Sequence, residues 1–167
     1  TNTSGLATVG SWTLGATAGS NSLTATATGS GISGNPATFT ATGTAGGAAS
    51  VAANSVTTQS ATVGTAVSAP PSVIVRDAAS NPVAGATVTF AVTAGGGSLV
   101  GGSQTTDGAG VATLTSWTLG TTAGSNTVTA TVSGSGISGN PVSFTATGTA
   151  GPAATIALNL GNNQSAT

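Results

Sequence analysis

The stretch SWTLGATAGSNSLTATATGSGISGNPATFTATGTAG, beginning at Ser11, returns almost unchanged as SWTLGTTAGSNTVTATVSGSGISGNPVSFTATGTAG, beginning at Ser116. An offset of 105 residues places Thr1 on Thr106, Trp12 on Trp117, Pro36 on Pro141 and Thr62 on Thr167. The overlay needs no gap, and about two thirds of the paired residues are identical. Most changes are mild, such as Leu6/Val111, Val9/Leu114, Leu23/Val128 and Val51/Ile156. This period exceeds the roughly 20–50 residues of a solenoid coil and suits a whole domain, commonly about 100–150 residues. The chain therefore reads as a window on a tandem array. Residues 1–45 are the C-terminal part of one copy, 46–150 a complete copy, and 151–167 the first strand of the next.

Within a copy the apolar residues alternate. ATVTFAVT (86–93) sets Val88, Phe90 and Val92 against Thr87, Thr89 and Ala91. NTVTATVS (126–133) places Val128, Ala130 and Val132 on one face, and VSFTATGT (142–149) does the same with Val142, Phe144 and Ala146. SVIVRD (72–77) offers Val73 and Val75. A period of two is the mark of a strand buried on one face. Threonine fits the outward positions, because its branched Cβ favours strands and its hydroxyl accepts water. Helical periodicity is absent. Turn sequences rich in Gly, Asn and Pro, among them SNPVAG (80–85), TDGAG (106–110) and SGSGISGNP (133–141), separate the strands. Short alternating strands with such turns predict an all-β fold, an antiparallel β-sandwich in tandem repeats of about 105 residues. Its two apolar faces would pack about 10 Å apart.

Composition narrows the chemistry. The chain carries one cation, Arg76, two anions, Asp77 and Asp107, and no His, Cys, Met or Tyr. Low charge combined with patterned apolar residues is the opposite of the disordered signature. A nucleic-acid partner needs clustered Lys and Arg, and an anionic membrane surface needs the same. No run of about 20 apolar residues is present, so no membrane insertion of this segment is expected. General acid–base and nucleophilic catalysis need paired titratable groups that this inventory lacks, and a zinc site needs His or Cys. The expectation is no enzyme, no catalytic residue, no cofactor and no metal.

The order and spacing of several motifs carry a resemblance. VIVRD, with Val73, Val75 and Asp77, is followed by NPVAGATVTF, TTDGAGVATL and WTLGTTAGSNTVTA. This succession resembles a bacterial Ig-like domain of the group 1 type, found in tandem in invasin- and intimin-like surface proteins. The likeness covers 48–150 and repeats over 1–45. It implies an all-β, seven- or eight-stranded antiparallel Ig-like β-sandwich without the inter-sheet disulfide of antibody domains, and a role as a stalk or adhesive module outside the cell.

The remaining candidates read structurally. Asp77 and Asp107 with nearby carbonyls could coordinate calcium, but each sits where an aspartate bonds local backbone amides, and Asn2 replaces Asp107 one copy earlier. Arg76 precedes Asp77 on a strand, so their side chains point to opposite faces, and Arg76 reads as solvated. Trp12 and Trp117 could stack on a sugar or anchor a partner; a core plug is favoured in so aromatic-poor a domain. Asn2 and Asn163 head N-glycosylation patterns, neither kept in the other copy, and the outward threonines could accept O-glycans. The expected function is a structural repeat of an extracellular fibre or adhesin stalk on a bacterial surface. Its expected partners are neighbouring copies of itself in a filament, and glycans. The alternatives are a carbohydrate- or receptor-binding adhesion module and a phage tail-fibre or decoration domain. A binding module would vary its loops, whereas GSGISGNP is identical at 29–36 and 134–141.

Overall fold

The computed structural model describes residues 1–157. Most of the 151–167 segment, with the candidate Asn163, lies outside them, and 151–157 are exposed and enter no strand. In chain order the strands are β1 (Gly19–Ala25), β2 (Ala37–Gly43), β3 (Ser50–Ala53), β4 (Thr58–Thr62), β5 (Ser72–Arg76) and β6 (Thr87–Ala94). They continue with β7 (Ser98–Val100), β8 (Ser103–Thr105), β9 (Val111–Thr113), β10 (Ser116–Thr118), β11 (Gly124–Val132) and β12 (Val142–Thr149).

The complete copy is a sandwich of two sheets, ordered β4-β12-β11-β6-β8 and β3-β5-β9, with β10 paired to β7. The alternating residues meet between them. Val73, Val75, Val88, Phe90, Ala130, Val128, Val132 and Phe144 are all buried, whereas Val92 is half-buried against the same core. Trp117, Leu114 and Leu119 fill the remaining space and are also buried. The sandwich is not wholly antiparallel, because β4 runs parallel to β12. The segment 50–62 enters as β3, antiparallel to β5, then crosses to the other sheet as β4 without reversing. Ser72 fastens the crossing, accepting from Asn54 N at 2.7 Å through its carbonyl and donating its N–H to Ser55 Oγ at 2.9 Å. Alternation marks which face of a strand is buried but says nothing about the direction of its neighbour.

The loop 133–141 is a working part of the sandwich. Its Ser138 exchanges backbone hydrogen bonds with β3 and its approach, accepting from Val51 N and donating to Ala49 O, each at 2.9 Å. Ile137 is buried over the core. Gly139 has φ +77°, and a Cβ there would collide with Val51 O. The loop sequence is thus fixed by packing at the end of the sandwich.

Residues 1–45 repeat the local structure one period earlier. β1 and β2 pair with Gly19 opposite Gly43, Leu23 opposite Phe39 and Ala25 opposite Ala37. The β11–β12 register is the same, with Gly124 opposite Gly148, Val128 opposite Phe144 and Ala130 opposite Val142. The gapless offset leads one to expect that 1–45 superposes on 106–150 strand for strand, but of the four strands in 106–150 only β11 and β12 have counterparts there. The counterparts of β9 and β10, at 6–8 and 11–13, are irregular. In the complete copy β9 pairs with β5 and β10 with β7, and 1–45 contains no counterpart of β5 or β7.

Candidate functional site

Both aspartates take local backbone amides, as their turn positions require. Asp107 Oδ1 accepts from Ala109 N and Val111 N, each at 2.9 Å. Its counterpart Asn2 does the same with Oδ1, accepting from Ser4 N at 3.0 Å and Leu6 N at 2.9 Å. The turn needs one acceptor oxygen and no charge, which explains why aspartate and asparagine interchange between copies. Exposed Asn2, a candidate glycosylation position, thus has a structural role for its side-chain oxygen.

Asp77 does more than close a turn. Its Oδ1 accepts from Ala79 N at 2.9 Å and Asn81 N at 2.8 Å, while Oδ2 accepts from Asn81 Nδ2 at 2.9 Å and from Gly46 N at 2.8 Å. The Asn81 side-chain amide, then the Gly46 N–H and the remaining backbone donors, hold its carboxyl below the ordinary aspartate value against the opposing effect of desolvation. A carboxylate so surrounded by N–H donors faces partners that suit an anion and would repel a cation. Arg76 is exposed, as its strand position predicts, and donates from Nη1 to Ser80 O at 2.9 Å. Ser80 has φ 67°, a left-handed conformation held by this turn.

Asn81 carries the site across to the other copy. It is buried, and its Nδ2 donates to Ala16 O at 2.8 Å while its Oδ1 accepts from Ala18 N at 2.9 Å. Ala16 and Ala18 lie just before β1, and Gly46 lies just after β2. The Asp77–Asn81 turn therefore grips the end of the preceding hairpin at three backbone groups. The connecting stretch is itself stitched down, because Ala49 N donates to Arg76 O at 2.8 Å. Sequence reading missed Asn81. It marks the NP of a turn, a common signal, and its partners are main-chain atoms that no motif displays.

A second feature is an open apolar face on the first copy. Trp117, Leu114 and Phe144 are wholly buried, but their counterparts are not: Trp12 is half-buried, Val9 is 63% exposed and Phe39 54%. Ile32, the counterpart of buried Ile137, is 44% exposed. Val9, Trp12, Leu23 and Phe39 line a cleft of about 620 Å³. Both outer edges of the hairpin are open as well. One period on, β11 pairs outward with β6 and β12 with β4, whereas β1 and β2 pair only with each other among the described residues. Trp117 is thus a core plug, with one peculiarity: its buried Nε1 has no hydrogen-bond partner.

Residues 68–147 match the family profile of the bacterial Ig-like domain (group 1). Among solved structures the chain is similar to the D00-D0 domain of intimin, at 20% sequence identity and a TM-score of 0.42, over 67% of this chain and 54% of that one. It is similar also to the D0-D1 domain of intimin, at 22% identity and a TM-score of 0.41, over 77% of this chain and 60% of that one. The chain spans less than two thirds of either structure. No curated protein sequence matches it. The matched profile starts just ahead of β5 and ends within β12, so this part of the sandwich is similar to the bacterial Ig-like domain family, group 1.

Proposed function

We propose that this protein is a structural repeat of an extracellular fibre or adhesin stalk on a bacterial surface, assembled through β-strand contacts between neighbouring Ig-like domains. The observation that carries the reading is the joint inside the chain, where the Asp77–Asn81 turn holds Ala16, Ala18 and Gly46 at the end of the preceding hairpin. Such a contact joins unlike surfaces of neighbouring copies. Repeated head to tail, it does not close on itself and extends into a filament.

The rest of the molecule supports length and stiffness over a binding site. The conserved loop 133–141 is occupied in covering the core, and the two aspartates in holding turns. The connection through 42–51 is short, and its backbone is tied to Asp77 and Arg76, which restricts hinge motion. The test is display on intact cells that make the protein. Antibodies raised against residues 46–150 should label thin projections beyond the envelope of unpermeabilised cells. Labelling that appears only after permeabilisation would contradict the reading.

A further inference from the structure

The grip of Asp77 and Asn81 on the preceding hairpin joins two unlike poles of one repeat type. The head pole is the turn 77–81. The tail pole consists of three main-chain groups, Ala16 O, Ala18 N and Gly46 N. One period on, the same three positions are Thr121, Ala123 and Gly151. All three are exposed.

We propose that Thr121 O, Ala123 N and Gly151 N form a second tail pole, which docks the Asp–Asn turn of a further copy of this repeat. The occupant follows from the joint already formed inside the chain. Ala123 and Gly151 are identical to Ala18 and Gly46, and Thr121 replaces Ala16 where only a carbonyl is used. The flanking hairpin keeps its geometry. Asn21 Oδ1 accepts from Gly15 N at 3.1 Å, and Asn126 Oδ1 from Gly120 N at the same distance. Asn21 Nδ2 donates to Gly19 O at 3.2 Å, and Asn126 Nδ2 to Gly124 O at 3.2 Å. The turn leading into β11 is thus locked as its predecessor is, so it presents the same backbone groups. Main-chain recognition also makes the joint insensitive to side-chain drift between copies. A carboxylate and a carboxamide meeting N–H and C=O groups fix the relative orientation of neighbours, which a flexible tether would not.

The inference rests on the stalk reading for its purpose, and its test is independent of that reading. The full chain is extended after Thr167 by residues 63–150, which complete the copy begun at 151 in register, and amide hydrogen exchange is followed by NMR. Protection of Val75 and Val88 amides, and of their counterparts in the added copy, reports that each sandwich is folded. Exchange at Ala123 and Gly151 is expected to slow about tenfold or more relative to the unextended chain. The counterpart of Asn81→Ala in the added copy should release Ala123 while leaving Ala18 protected, and Asn81→Ala in the resident copy should do the reverse. Should those variants fail to fold, Gly151→Pro deletes a donor on the tail side. A Cβ there meets nothing nearer than Thr62 Cγ2 at 3.6 Å, and the variant should speed exchange at Ala123. A folded added copy that leaves Ala123 and Gly151 unprotected overturns the joint, as does protection that survives these substitutions. Surface labelling of cells reads the stalk role separately.

Discussion

Asp77 and Asn81 hold each other twice: the Asn81 side-chain amide donates to Asp77 Oδ2 at 2.9 Å, and the Asn81 main-chain N–H donates to Asp77 Oδ1 at 2.8 Å. This pair points Asn81 outward at Ala16 and Ala18. Replacing Asn81 by Asp would set two carboxylates against each other at that distance. Like charges so close raise the affinity of the pair for a proton. Asn81→Asp is therefore expected to lower the melting temperature at pH 7, with the deficit shrinking near pH 4, where one carboxyl takes a proton and can donate to the other. Thermal unfolding at both pH values checks this.

Asp77 also sets a pH dependence for the joint. Its carboxyl is held below its ordinary value, first by Asn81 and then by Gly46. A depressed folded value means that the contribution is fully present above the unfolded value, near pH 4, and is lost as pH falls through the folded one. Protection of the Gly46 amide, corrected for intrinsic exchange, is expected to be level from about pH 8 to 5 and to fall only in acid below about pH 4.

Asp107→Asn should itself be nearly silent. Asn2 performs the same turn with one oxygen in the first copy, and surface changes away from special features stay within about 0.5 kcal/mol. Urea unfolding of the variant is the check. Asp107→Ala, which removes the acceptor from two amides, should be measurably less stable.

Two phenylalanines at one repeat position should behave differently. Phe144 is wholly buried, and Phe144→Ala is expected to cost about 3–5 kcal/mol, as is Phe90→Ala. Phe39 is 54% exposed, so Phe39→Ala should leave the unfolding midpoint of the 46–150 sandwich unchanged. Chemical denaturation of the three variants beside the parent chain checks this.

The strands were legible because each buries one face: Val88 and Phe90, Val128 and Val132 and Phe144 announce their positions by alternation alone. The parallel pairing of β4 was not, since an edge strand that switches sheets leaves no period of its own. Strand formation does not follow at 6–8 and 11–13, although these residues nearly repeat 111–113 and 116–118 in sequence. It fails there because pairing is supplied by partners, and the counterparts of β5 and β7 are missing from 1–45. What persists in both copies is local: the Asx turns at Asn2 and Asp107, and the clamps of Asn35 on Ala27 and Asn140 on Val132. The joint was the least legible part. Asp77 was read correctly as a turn residue, but its contact with Gly46 and the reach of Asn81 to Ala16 join positions 31 and 65 residues apart through main-chain atoms.

The central claim is that neighbouring copies of this repeat are joined in a fixed orientation by the Asp77–Asn81 turn. Its most direct measurement is amide hydrogen exchange at Ala18 and Gly46 in the purified chain and in Asn81→Ala, with Val75 and Val88 reporting that the sandwich is folded. Protection of Ala18 and Gly46 that is lost in Asn81→Ala is the expected result. Exchange at Ala18 and Gly46 as fast as in an unstructured chain, with the sandwich folded, would contradict the account.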